Sequence, residues 1–301
     1  MSAAPISRSA IPAFVNPAAG SAAGVASALE QVGGFEVQEI APAQLHDAIR
    51  GAIAAGAARV LVAGGDGTIC SAASALVGTG VELAVIPAGT LNHFARFLGI
   101  PSAPNAAAEV ALRGTVRSVD VGWVNNHLIL NTSSVGAYVT FVRTRERLEK
   151  HLPYIIASLI AFARILIHLH TFRVLVEIEG RSHVYRTPLV FVGVGERELG
   201  VPMLGARIPG GRRGLHLLVV RGKRRAQLLL RGAAVATRGL STVPRHSQTG
   251  LDSFVVDHCR IEMRRPRGNV GVDGEIVPMI APLDYRIQRD ALRVVAPEQP
   301  G

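Results

Sequence analysis

Cysteine, aromatic residues and negative charge are all scarce in this 301-residue chain, and each scarcity narrows what it can be. Cys70 and Cys259 are its two cysteines, far apart and outside any metal-ligand spacing, so no disulfide framework or zinc module is encoded and a reducing cytoplasm is the expected home. One tryptophan, Trp123, and four tyrosines offer few faces for stacking bases. Asp and Glu number 22 against 32 Lys and Arg, which leaves a balance of +10 and a pI near 10.8. Such a balance favours a polyanionic partner: nucleotide, anionic lipid or nucleic acid, the last being weakest for want of stacking residues. Met1 to Pro12 lacks the cationic start and apolar block of a signal peptide.

Long apolar runs are also missing, with one near exception. Leu152 to Leu169 is apolar apart from Ser158, Arg164 and His168, yet Arg164 would lie deep in hydrocarbon if the segment spanned a membrane. Two readings stay open: a buried core helix, or the wall of a lipid-binding cleft or interfacial contact, with Arg143, Arg145, Arg147 and Lys150 as a basic stripe beside it. No Walker A sequence occurs.

What is present is concentrated in Arg59 to Val77, RVLVAGGDGTICSAASALV. An apolar run is broken by Gly64-Gly65-Asp66-Gly67-Thr68 and followed by apolar positions 69, 72, 73, 76 and 77 at helical spacing, which predicts strand, glycine loop, helix. Glycines let the backbone approach a ligand closely, and a helix start offers N–H groups and a positive dipole end, so the loop suits phosphate. Asp66 places a carboxylate where an anion should bind, which makes sense with a cation or a transferable proton. Tight α/β turns are glycine-rich for purely steric reasons too, so the loop needs support from the rest of the chain.

That support comes from the order of elements. Ala13 to Asn16, Phe35 to Ile40, Arg59 to Ala63 and Leu83 to Ile86 read as strands between alanine-rich helical stretches, hence an α/β domain with a parallel sheet over residues 1–118. Three strands end in special turns: Asn16-Pro17-Ala18-Ala19-Gly20, Gly64 to Thr68, and Pro87-Ala88-Gly89-Thr90-Leu91-Asn92. In a parallel sheet these share the carboxyl edge, where open α/β sheets bind ligands. From Val119 the pattern turns to hairpins: Val119 to Val124 with His127 to Leu130 across Asn125-Asn126, and Phe172 to Glu179 with Ser182 to Val194 across Gly180-Arg181. Residues 119–301 are therefore expected to form a second domain, an antiparallel β-sandwich with one further helix over Arg224 to Leu240, while the last strands, Asp284 to Gln288 and Leu292 to Val295, fit either domain.

Five motifs in order carry a resemblance: Asn16 to Gly20, Gly64 to Thr68, Pro87 to Arg96, Val119-Asp120-Val121-Gly122 and Val272-Asp273-Gly274-Glu275. Together they resemble the diacylglycerol kinase catalytic-domain family, which includes bacterial lipid kinases and sphingosine kinases. The resemblance implies an α/β nucleotide domain joined to a β-rich lipid domain, and an ATP-dependent lipid kinase that phosphorylates a hydroxyl of diacylglycerol or a related lipid. It assigns ATP contacts to Asn16, Pro17, Gly20, Gly64, Gly65, Gly67, Thr68, Gly89 and Thr90, with Asn92 supporting its loop. Asp66 would hold or face Mg2+ on the nucleotide, and Glu275 would be general base, although Asp273-Gly274 also reads as a plain hairpin turn before an exposed glutamate. A cytoplasmic protein peripheral at the inner membrane face, docked on anionic lipid, is the expectation; the oligomeric state stays open.

Departures from the family pattern carry their own expectations. His93 stands where many relatives have aspartate, which admits a second reading, a nucleotide-regulated lipid-binding protein with weak or no catalysis. Cys70 replaces a common asparagine and reads as a small buried residue. Arg213 and His216 fall where relatives often place acidic ligands of a structural magnesium, so that ion is expected to be absent, with Arg207, Arg212, Arg213, Arg221, Lys223, Arg224 and Arg225 forming a basic face. A soluble NAD kinase-like enzyme shares the Gly64 to Thr68 loop; Asn16-Pro17, the Val119 to Gly122 stretch and the apolar 152–169 segment favour lipid.

Overall fold

The structure is a computed structural model that describes residues 10–20, 22–167, 170–199, 204–208, 210–221 and 250–298. Two compact units emerge: residues 1–119 with 289–301, and residues 120–288.

The first unit alternates strands and helices: β1 Ile11–Val15, α1 Ala22–Val32, β2 Phe35–Glu39, α2 Leu45–Ala54, β3 Arg59–Gly64, α3 Asp66–Leu76, β4 Glu82–Pro87, α4 His93–Leu98 and α5 Pro104–Arg113. β5 Thr115–Val124 then leads the chain into the second unit. The first four strands pair in parallel in the order β2-β1-β3-β4, with Ala13 opposite Leu61 and Val62 opposite Val85. β1 therefore sends the chain to one side for β2 and to the other for β3, so the turns after β1 and β3 flank the point where strand order reverses. Val60 to Ala63 and Leu83 to Ile86 are buried as continuous apolar runs, as expected for parallel strands covered on both faces. α3 buries Ile69, Ala72, Ala73 and Leu76, four of the five positions its spacing singles out; Val77 caps the helix and is half-buried. α5 buries Ala107, Ala108 and Ala111, small residues that let the helix lie close to its neighbours.

The second unit holds β6 His127–Ile129, β7 Thr132–Gly136, α6 Ala137–Glu149, α7 Tyr154–Ile167, β8 Phe172–Ile178, β9 Arg181–Thr187, β10 Leu189–Val194, β11 Arg197–Leu199, β12 Leu204–Arg207, β13 Leu215–Val220, β14 Leu251–Val256, β15 His258–Met263, β16 Arg267–Val272 and β17 Glu275–Ile280. Six strands form an antiparallel sheet in the order β14-β13-β10-β7-β16-β17. β9, β8, β15 and the start of β18 Leu283–Ala296 form an antiparallel layer facing it. Val174, Val176 and Ile261 of this layer share one buried cluster with Val190, Val192, Leu217 and Val270 of the other, which makes the unit a sandwich.

Four details differ from the sequence reading. The β8–β9 turn is Glu179-Gly180, because both residues take positive φ as a two-residue hairpin of this type requires, and Ile178 pairs with Arg181. The run Ser182 to Val194 divides at Pro188, which cannot donate to a ladder, and its halves β9 and β10 join different sheets. α6 is a helix that apolar periodicity does not reveal, since its charged residues dominate and only Val139 and Val142 are buried. Asp284 to Gln288 and Leu292 to Val295 belong to one continuous strand, β18, whose later part pairs in parallel with β4 through Val294 and Leu83. The expected helix over Arg224 to Leu240 lies outside the described residues.

Candidate functional site

The three turns of the first unit are joined to one another through the middle one. Asn16 donates from Nδ2 to the Thr68 hydroxyl at 3.1 Å while its Oδ1 accepts the Ala18 N–H at 3.0 Å, so one amide both folds the first turn and ties it to the second. Thr68 has room there only because Gly64 has no side chain: a Cβ at Gly64 would sit 2.6 Å from Thr68 Cβ. The second and third turns touch backbone to backbone. A Cβ on Gly89 would lie 2.6 Å from Gly65 Cα, a separation real Cβ atoms essentially never show, and a tight 3.0 Å from Asn92 Oδ1. The requirement for glycine is therefore steric at both positions, and it produces a stretch of bare backbone between two strand ends.

Asn92 closes the third turn. Its left-handed conformation, φ 51°, aims the side chain back so that Oδ1 accepts the Gly89 N–H at 2.9 Å and Nδ2 donates to the Gly89 carbonyl at 2.7 Å. With its amide spent in this way, Asn92 leaves the amino end of α4 to another residue. Asp66 takes it, Oδ2 accepting the His93 N–H at 3.0 Å and Oδ1 the Phe94 N–H at 3.1 Å. Asp66 thus has a structural role beside any cation it meets, because one lone pair on each oxygen already serves the helix. Sequence reasoning missed the cap because the six-residue α4 starts 27 positions after Asp66 and its local cap candidate is Asn92, whose amide is spent on Gly89. Pro17, Gly20, Gly89 and Thr90 are exposed, Gly65, Asp66, Gly67 and Thr68 half-buried, and no side chain caps α3, which begins at this edge.

In the second unit, Glu275 is the exposed first residue of β17, opposite Val272 across the two-residue turn Asp273-Gly274. Both turn residues take positive φ, so the hairpin reading of this pair holds. Asp273 does more than turn the chain. Its carboxylate accepts three backbone N–H groups, from Leu130 at 2.7 Å and from Asn131 and Thr132 at 2.8 Å each. The carbonyls of the same segment face arginines. Arg197, 6 % exposed, donates to Asn131 O at 2.6 Å and Val194 O at 3.0 Å, and Arg207 donates to Val194 O at 2.8 Å. Burial pushes the Arg197 guanidinium down to about 10, and the Asp273 charge opposes that shift.

His216 anchors Arg197 from behind. The Arg197 backbone N–H donates to its Nδ1 at 2.9 Å, which fixes the ring proton on Nε2, 2.8 Å from the Ser253 hydroxyl. Burial pushes this imidazole down to about 4. Three arginines assigned to a basic face are paired instead: Arg212 with Glu196, Arg213 with Asp120, and Arg221 with Asp252 at 2.6 Å. The Arg212 backbone N–H, followed by its guanidinium, holds the Glu196 carboxyl below the usual range. Lys223, Arg224 and Arg225 lie outside the described residues. His93 is exposed, Cys70 is half-buried rather than buried, and neither cysteine forms a disulfide.

A parallel sheet with glycine-lined turns at its switch point, followed in the chain by an antiparallel sandwich, defines an α/β protein with a phosphate-suited loop edge and a β-rich companion unit. Residues 11–124 match the family model of the diacylglycerol kinase catalytic domain, so the family read from the motifs holds for the segment that contains all three turns. Over 125 residues the chain is 36 % identical to a protein named diacylglycerol kinase from Mycobacterium tuberculosis, a match covering 38 % of this chain and 40 % of that protein. Over 121 residues it is 44 % identical to one named probable lipid kinase YegS-like from Pseudomonas aeruginosa, covering 38 % and 39 %. The matched segment thus spans about two fifths of these relatives. A crystal structure titled as a diacylglycerol kinase from Bacillus anthracis superposes with TM-score 0.67 at 20 % identity, covering 96 % of this chain and 97 % of that one, a likeness of fold.

Proposed function

We propose that the protein is an ATP-dependent lipid kinase that transfers the γ-phosphoryl group to a hydroxyl of diacylglycerol or a related lipid. The observation that carries the reading is the bare backbone between Gly65 and Gly89, bounded by the Thr68 hydroxyl and the start of α3. Backbone N–H groups and one hydroxyl suit phosphate oxygens, and a side chain at Gly89 could not be accommodated without moving a backbone. Asn16, Pro17 and Gly20 line the neighbouring turn, with Gly64, Gly67, Thr90 and Asn92 completing the cradle. Asp66 retains lone pairs beyond those given to α4, so its donor chemistry fits a magnesium ion carried by the nucleotide, which would offset charge on the transferred group.

In the transfer, the lipid hydroxyl oxygen bonds to the γ-phosphorus, the bond to the bridging β–γ oxygen breaks, and the nucleoside diphosphate leaves. Glu275 accepts the hydroxyl proton, an exposed carboxylate on a hairpin whose base Asp273 holds in place. A structural magnesium does not suit residues 210–216: Arg213 offers a guanidinium already paired with Asp120, and the His216 ring nitrogens are both engaged.

The test is phosphorylation of a mixed lipid extract by purified protein with Mg-ATP, beside a known lipid kinase as control. Glu275→Ala is expected to lower turnover about 100- to 10,000-fold and leave nucleotide affinity nearly unchanged. The exposed His93 beside Asp66 favours a second reading, a nucleotide-regulated lipid-binding protein. That reading gains if Glu275→Ala changes nothing measurable and no lipid is labelled.

A further inference from the structure

Along residues 156–164, the stretch of α7 whose side chains are described, Ala157 and Ala161 are fully enclosed, while Ile156, Leu159, Ile160 and Phe162 are 45 %, 64 %, 44 % and 46 % exposed. Soluble helices bury their large apolar side chains and turn small or polar ones outward, so this order is the reverse of a core helix. Four of the eight large hydrophobic residues exposed among the described residues lie on these two turns of one helix, so they form a patch rather than a scatter. Among the described residues, no helix is long and apolar enough to cross a membrane.

Exposed charge on the helix pair is mostly cationic. α6, which packs on α7, exposes Arg143, Arg147 and Lys150 at spacings of four and three residues, one face of the helix, with one acid, Glu146, among them, and α7 exposes Arg164. Among the described residues none of these four has an ion pair, in contrast to Arg212, Arg213 and Arg221, whose charge is spent within the unit. Apolar side chains flanked by unpaired cations match the two layers of an anionic bilayer surface, acyl chains beneath phosphates.

We propose that the α6–α7 pair is a membrane-docking element, with Ile156, Leu159, Ile160 and Phe162 entering the acyl boundary of an anionic phospholipid surface while Arg143, Arg147, Lys150 and Arg164 meet headgroup phosphates. The inference rests on the lipid-substrate reading for its purpose, but its test needs no nucleotide. The whole chain is sedimented with vesicles of phosphatidylcholine alone and of phosphatidylcholine with phosphatidylglycerol. Binding is expected for the anionic vesicles and to weaken as salt rises. The double variant Leu159→Glu with Phe162→Glu should bind about 10- to 100-fold more weakly with an unchanged melting temperature, since it removes two apolar side chains from the contact. Leu159→Trp supplies a second readout, a blue shift in fluorescence on anionic vesicles. Equal binding by the double variant overturns the proposal, as does an absence of binding by the native chain or a patch that instead holds two copies together without lipid. Failure of the kinase reading is a separate result, read from phosphorylation of a water-dispersed short-chain diacylglycerol.

Discussion

Asp66 and Asp273 invite comparison, because each stands beside a glycine in a motif and each spends its carboxylate on backbone N–H groups. Their settings differ. Asp66 bridges two turns that meet only because Gly89 lacks a side chain, and it caps a short helix at an open edge. Asp273 gathers three consecutive N–H groups, and the carbonyls of two of those residues, Asn131 and Leu130, are held by Arg197 and Arg207. The first arrangement leaves backbone bare for a ligand; the second stiffens the base of a hairpin whose exposed residue is Glu275. A carboxylate in a glycine motif can thus be an architectural group first, with any chemistry laid over that role.

The contrast can be broken by substitution. Asp273→Ala leaves three N–H groups unpaired and the buried Arg197 without its neighbouring anion, and should cost roughly 3–5 kcal/mol in urea unfolding. A cost near that of an ordinary surface change would remove the distinction between the two aspartates. Acid should act on the second unit through His216. Its folded value, about 4, lies below the ordinary 6.5, so the stability it contributes is present above pH 6.5 and is lost as pH falls toward 4. The loss should approach about 3 kcal/mol, and His216→Gln should flatten that part of the pH profile. Gly89→Ala drives a methyl into Gly65 and should destabilise by about 1–3 kcal/mol while weakening nucleotide binding. Titration calorimetry showing native affinity would mean the close approach of the two turns serves packing alone. Asp66→Ala should be mildest in stability, about 1–2 kcal/mol for a lost helix cap. A turnover loss far beyond that cap energy would show a chemical role as well.

The parallel sheet was legible because alternating apolar runs and alanine-rich helices leave few other arrangements, and the turns were legible because glycine and asparagine mark them. The roles of Asp66 and Asp273 were not, since each acts on backbone groups 27 or more than 140 positions away, which no local pattern encodes. α6 escaped notice because only two of its side chains are buried. The partners of Arg212, Arg213 and Arg221 were hidden for a related reason: net charge counts cations but not the carboxylates that meet them in space. Leu152 to Leu169 was recognised as unusual, but only the exposure of Leu159 beside the enclosure of Ala157 shows which way the helix faces.

β18 returns the chain to the first unit. Val294 pairs with Leu83, Ala291 O receives the Gly78 N–H, and Arg293 reaches Gly80 and Glu82. The 11–124 segment that matches the family model therefore lacks the strand that lies along one edge of β4. A ribosome releasing those residues has made every turn of the glycine-lined edge but not the strand that seals β4, and a fragment cut at the limits of the sequence match would carry the same open seam.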